Sequence, residues 1–292
     1  MEDSRDKQNK SGNLPGTLIE PTGTSLTYDR YLHVDDLLAL QVPQSDPPEH
    51  DETLFIIIHQ VYELWFKQLL HELDKSERAL KADSLTELLR TLKRVHSIQK
   101  ILVEQVAVLE TMTPTEFNRF RNRINPASGF QSHQFRIVEF RIGLKDAGYL
   151  KFFRSTPAHM QQLKDAMERP SLYEVFLQFL SRKGFPVPKH VLERDPAKPW
   201  EPDEGVKNLF LAVYRDPDSH LDLYHALEAL MDLDESFMLW RYRHVAMVER
   251  MIGFKRGTGG SSGVEYLTKT LSKRFFPELW QLRSDLGSSD WG

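Results

Sequence analysis

His244 lies within Trp240–Gly263, WRYRHVAMVERMIGFKRGTGGSSG, where Phe237, Trp240, His244, Val248 and Met251 share one face at helical spacing. An imidazole on an apolar helix face is a candidate ligand for a metal or a haem iron. The glycine-rich run behind it is bendable enough to close over whatever binds. A second histidine, His59, sits in DETLFIIIHQVYELWFKQLLHEL, one stripe of which carries Phe55, His59, Tyr62 and Phe66. Taken alone, each histidine is more often a hydrogen-bonded core residue than a ligand. Two of them on separate apolar helices, the second flanked by Arg241 and Arg243, strengthen the case for a haem pocket, which needs an axial imidazole, apolar walls and cations for its propionates, all residue types present in this chain.

Other chemistries fit less well. The chain has no cysteine, which removes disulfides, thiolate nucleophiles, iron–sulfur clusters, Cys-type zinc sites and covalent or thiolate-ligated haem. His59 begins His-Gln-Val-Tyr-Glu, so the H-E-x-x-H of zincins is absent, and the paired Glu-x-x-His of di-iron bundles is missing from the long helices. His220 and His225 are five residues apart, roughly 140° around a helix, a poor arrangement for shared ligation. Gly257-Thr-Gly-Gly-Ser-Ser-Gly263 lacks the lysine of a phosphate-binding loop and reads as either a flexible linker or a mobile lid. Arg121, just before the turn Asn125-Pro-Ala-Ser-Gly129, is a solvated cation or, directed inward, a carboxylate clamp.

The elements that must position these residues are helical, and the fold class is all-α. Asp51 is a candidate N-cap for a helix to about Lys81. Leu85, Leu88, Leu92, Val95, Ile98 and Leu102 carry a second long helix from Ser84 to about Thr111. Thr113-Pro-Thr-Glu116 is a capping box opening a helix through about Arg123. Further helices are expected over Val34–Leu40, Gln134–Leu144, Ser171–Ser181, Val206–Tyr214, His220–Phe254 and Tyr266–Phe276, with a long connection near 183–204. No stretch alternates with the period of a strand, and no repeat is evident.

With 292 residues, 40% of them hydrophobic, the chain can bury a large core. A net charge of -4 gives no electrostatic case for nucleic acid. No apolar run approaches the 18 or so residues of a membrane span, and the polar start lacks a secretory signal, so a cytoplasmic protein is expected. Residues 1–24, rich in Ser, Gly, Pro and charge, are expected to form a disordered or loosely docked tail.

HQVYELWFKQLLHEL, NPASGFQS and the Trp240–Gly263 segment together closely resemble the tryptophan 2,3-dioxygenase family. With LTYDRYL and HDETLF, the similarity spans most of residues 26–276. The resemblance implies a single helical-bundle haem domain over 25–285 with an N-terminal arm, followed by a short tail over 286–292. It further implies haem b, O2 as co-substrate, a homotetramer, and insertion of both oxygen atoms across the indole 2,3 bond of L-tryptophan to give N-formyl-L-kynurenine. On this resemblance His244 is the proximal haem ligand, and His59 is the catalytic distal histidine that hydrogen-bonds the indole N–H. Phe55 packs on the substrate ring, Arg121 clamps its carboxylate, Thr258 meets its amino-acid end, and Phe117 and Ser128 line the pocket. Tyr28, Tyr31 and Leu32 belong to a segment that reaches a neighbouring subunit's pocket. His133 stands where the family pattern expects an apolar residue, and the stretch from about Lys151 to Pro217 carries little that matches. The nearest alternative is an oxygenase of the same haem fold acting on another indole; a haem-based sensor and a cofactor-free scaffold are more distant.

Overall fold

A computed structural model describes residues 26–260 and 262–287. The contacts divide the chain into two units, Met1–Val42 and Pro43–Gly292. In the first, α1 (Tyr28–Leu32) is capped by the Thr27 hydroxyl, and His33 in the left-handed region (φ 53°) separates it from α2 (Val34–Leu38). The tail expected over 1–24, and most of that expected over 286–292, lie outside the described residues.

The second unit is all-α, with no strand among the described residues. Its frame is three long helices: α3 (His50–Lys81), α4 (Leu85–Glu104) and, much later in the chain, α12 (Leu221–Ile252). Between them come α5 (Val106–Leu109), α6 (Pro114–Phe120), α7 (His133–Ile142), α8 (Pro157–Glu168), α9 (Leu172–Arg182), the one-turn α10 (Lys189–Leu192) and α11 (Glu204–Arg215). Two short helices follow α12, namely α13 (Val264–Thr268) and α14 (Pro277–Gln281).

The apolar stripes predicted on α3, α4 and α12 meet along the main core, where Leu69, Leu80, Leu88, Leu92, Leu227 and Leu230 are essentially inaccessible. Each such leucine contributes about 1.5–3 kcal/mol on leaving water. α7 is fixed against α3 by charge as well as packing. The buried Arg141 guanidinium donates to Glu77 (2.6 Å) and Asp74 (2.7 Å), which fixes the helix that later supplies part of the cavity wall.

Several sequence-based boundaries shift, each for a local reason. The N-cap of α3 is Glu49, not Asp51, which sits in the first turn; the helix start is held by the Glu52 carboxylate, which accepts from the Gln44 (2.7 Å) and Ser45 (3.0 Å) amides. The second long helix is interrupted at Gln105, so that α5 stands apart from α4. The capping box at Thr113 and Glu116 forms, but α6 ends at Phe120 and leaves Arg121 as its C-cap. The helix expected over Tyr266–Phe276 is not present beyond Thr268. The Asp234 carboxylate on α12 accepts from the Phe275 (2.8 Å) and Phe276 (3.0 Å) amides and from Trp280 Nε1 (3.0 Å), and so captures backbone donors a helix would have used. Pro277 then opens α14. α8 lies outside the helices expected from the sequence.

Candidate active site

A cavity of about 270 Å3 lies where the N-terminal half of α3, α5, α6, α7, the C-terminal part of α12 and α13 converge. A single water needs only about 10–15 Å3, so this space is sized for an organic ligand. Its wall includes Phe55, His59, Phe117, Arg121, Ser128, His244 and Thr258, seven positions singled out in the sequence and now brought together from five separate stretches.

His59 is one turn after Phe55, and its Nδ1 lies 2.7 Å from the Phe55 carbonyl oxygen. A carbonyl only accepts, so Nδ1 carries the proton and Nε2 is left as an acceptor. Burial pushes the His59 pKa down, against smaller upward pulls from that hydrogen bond and from Glu63, so the ring stays neutral near pH 7. Phe55 packs on His59 (centroids 4.1 Å apart) and on Phe117 and Phe120 (5.6 Å each), which makes this side of the cavity an aromatic wall.

His244 lies on α12, one turn after Trp240, and the two rings are parallel (4°) with centroids 5.1 Å apart. Among the described residues, no hydrogen bond to either of its ring nitrogens is present. Burial, with a contribution from His59, pushes its pKa down to about 4, so it too is a neutral imidazole with a lone pair to give. No group of three or more His, Cys, Asp or Glu side chains among the described residues is arranged to hold a metal ion. One imidazole beside a ligand-sized apolar cavity suits an iron whose remaining donors come from a porphyrin, so the residues present fit a haem.

Arg121, partly exposed as the C-cap of α6, donates from Nη2 to the Arg256 carbonyl, so it faces the glycine-rich loop. Thr258 Oγ1 donates to the Ala127 carbonyl at 2.7 Å, tying that loop to the turn before Ser128. A Cβ at Gly259 would lie 2.8 Å from Ser128 Cβ. Gly263, at φ +62°, has the Lys255 carbonyl where a Cβ would come within 2.6 Å. The loop's glycines therefore let its backbone lie directly against the cavity wall. Ser128 itself caps the 3-10 turn Gly129–Gln131, accepting from the Phe130 amide (3.3 Å).

Other residues lie elsewhere. Tyr28, Tyr31 and Leu32 belong to the first unit, on α1, and are exposed (73%, 69% and 44%). Arg243 pairs with Glu110 at 2.8 Å and does not line the cavity. His133 stacks on His159 of α8 (3.7 Å, 7°), a partner that accounts for an imidazole at a position where an apolar side chain was expected. The sequence reading missed Arg136, Glu139 and Tyr266 in the cavity wall, and Arg241, taken there as a flanking residue, is also a wall residue. Arg136 and Glu139 are three apart on α7, a spacing equally suited to an exposed ion pair, so the sequence held no signal of their burial.

The pattern of the tryptophan 2,3-dioxygenase family matches residues 16–184 and 204–286, leaving unmatched inside that span only the connection that carries α10. The match takes in most of the stretch from Lys151 to Pro217, where the sequence carries few recognisable motifs. The chain is 49% identical over 278 residues to the tryptophan 2,3-dioxygenase of Myxococcus xanthus, covering 95% of each chain. It is 48% identical to that of Kineococcus radiotolerans (90% of this chain, 92% of the relative) and 48% identical to that of Herpetosiphon aurantiacus (90% and 99%). With half of all positions shared across nearly the full length, the chain belongs to the tryptophan 2,3-dioxygenase family.

Proposed function

We propose that the protein is a haem-dependent tryptophan 2,3-dioxygenase, which cleaves the indole 2,3 bond of L-tryptophan with both atoms of O2 to give N-formyl-L-kynurenine, the first step of tryptophan breakdown. The observation that carries this reading is two neutral histidines, His59 and His244, in the wall of one ligand-sized cavity in a chain of this family. His244 would hold the iron of haem b, and the cofactor, when bound, supplies the redox chemistry of dioxygen.

The chain's own residues orient the amino acid. His59 Nε2, free to accept, receives the indole N–H, while Phe55 and Phe117 pack against the ring. Arg121 receives the carboxylate, and Thr258 with its loop covers the amino-acid end and excludes water. His59 acts here by hydrogen bonding and orientation. The exposed Tyr28, Tyr31 and Leu32 are apolar surface suited to a neighbouring subunit in a homotetramer. We place the protein in the cytoplasm; no helix among the described residues is long and apolar enough to cross a membrane.

The test is an absorption spectrum of the purified, reduced protein with and without L-tryptophan, followed by turnover in air. A Soret band that shifts with L-tryptophan, and the absorbance of N-formylkynurenine, are expected. Turnover of indole analogues lacking the amino-acid end in preference to L-tryptophan would place the chain with oxygenases of other indoles.

A further inference from the structure

Phe120 is fully enclosed and does not line the cavity, yet two rings that do line it rest on it. It packs edge-on against Phe55 of α3 (centroids 5.6 Å apart, 66°) and against Phe117 of its own helix, α6 (5.4 Å, 87°). Phe55 and Phe117 stack on each other at 5.6 Å (30°), so the three rings form a triangle with one corner behind the wall. Edge-to-face contacts fix the planes of rings as well as their positions. The triangle sits over a small core, separate from the main one, to which Ile58 of α3, Leu109 of α5 and Met247 of α12 also belong. Phe120 is the buried aromatic residue of that core.

The same residue fixes where Arg121 leaves its helix. α6 is seven residues long and ends at Phe120, with Arg121 as its C-cap. The Arg121 amide donates to the Phe117 carbonyl (3.0 Å) and the Arg123 amide to the Phe120 carbonyl (2.8 Å), which holds the backbone on both sides of the ring. Two contacts tie α6 to α3: the Phe120 ring below, and Arg119 with Glu49, the N-cap of α3, at 3.6 Å outside. An ion pair open to water contributes little, whereas an enclosed phenyl carries a large apolar area. Phe120 therefore decides how α6 docks. Phe117 and Arg121 are one helical turn apart and both line the cavity, so a change in the ring behind them moves both together.

We propose that Phe120 is a specificity-determining positioning residue. From behind the wall it sets the spacing between the two ring-packing phenyls and Arg121, and so limits the size of the aromatic ring that the cavity admits. The inference rests on the reading that this cavity takes an aromatic amino acid whose carboxylate meets Arg121. Phe120 touches neither ligand nor cofactor and acts only through Phe55, Phe117 and the end of α6.

The experiment compares Phe120→Leu with the wild type, each as the haem-loaded full chain. Both are given L-tryptophan and L-tryptophans carrying one methyl group at each benzo-ring carbon in turn. The shorter side chain leaves space into which Phe55 and Phe117 withdraw. For at least one methylated substrate, kcat/KM relative to L-tryptophan then rises roughly tenfold, the worth of one methyl group in a hydrophobic pocket. A loss of folded protein lowers turnover of every substrate alike and leaves these ratios untouched. Leu92→Ala, deep in the main core, serves as the control and keeps the wild-type ratios. Ratios unchanged by Phe120→Leu at every ring position overturn the proposal, as does an equal shift in Leu92→Ala. Phe120→Met, which fills more of the space, replaces the leucine variant if circular dichroism shows that the latter does not fold. A wild type that binds L-tryptophan without turning it over refutes the dioxygenase reading alone, and the same ratios are then read from calorimetric affinities. No binding of any of these amino acids refutes the amino-acid reading and the proposal with it.

Discussion

Along α12, Leu223, Ala226, Leu227, Leu230 and Leu233 are at most 5% exposed and packed into the main core, whereas three turns later His244, Val245, Val248 and Ile252 face a cavity. The helix is continuous and its apolar periodicity runs through both halves. What differs is the opposing surface. The first half meets α4 and α11, whose leucines and valines fill the space, while the second meets α3, α5 and α6 across a gap walled by rings and arginines. One half is a packing surface and the other a binding surface, and they are distinguished by what lies across from them rather than by their own hydrophobicity.

Four measurements sharpen or break that contrast. His244→Ala should abolish haem binding, seen as loss of the Soret band, while the far-ultraviolet circular dichroism stays native; a normal haem spectrum would remove the axial role of this residue. Glu139→Gln should cost about 3–5 kcal/mol in denaturant titration at neutral pH, because it leaves two buried guanidiniums, Arg136 and Arg241, without their shared carboxylate. The pH dependence has a defined sign. The folded pKa of Glu139 is below its ordinary 4.5, so its contribution is present above that value and is lost as pH falls below it; the variant should show a shallower loss of stability there. Leu227→Ala should cost about 2–5 kcal/mol, whereas Val248→Ala, already beside open space, should cost about 1 kcal/mol or less. Equal losses at the two positions would mean that both halves of α12 are equally packed. Arg121→Ala should weaken L-tryptophan binding by about 1.5–3 kcal/mol in calorimetry, with haem retained.

Much of this architecture is written in local pattern. The threes and fours of Leu85, Leu88, Leu92 and Val95, and the capping box of Thr113 and Glu116, predict elements that form, because both depend on residues within one or two turns. The reading fails where a distant group decides. Asp234 seizes two amides some forty residues onward and holds Phe275 and Phe276 outside the helix that the local composition favours. α8 escapes notice because only Leu163, Ala166 and Met167 of its twelve residues are buried, too narrow a stripe to stand out. The site shows the same division. His59 and His244 stand out as imidazoles on apolar faces, and family resemblance adds Arg121 and Thr258. The direction of an arginine is not encoded in its neighbours, so the burial of Arg136 and Arg241 emerges only from the fold.

Arg121 does not wait for its ligand with empty hands: its guanidinium already rests on the peptide oxygen of Arg256. That bond engages Nη2 and leaves the rest of a five-donor fork for an arriving carboxylate. One side chain can then hold ligand and glycine-rich segment together, so that an anion seated there is tied to the loop through the residue that binds it. A ligand without an anionic end leaves those remaining donors to water.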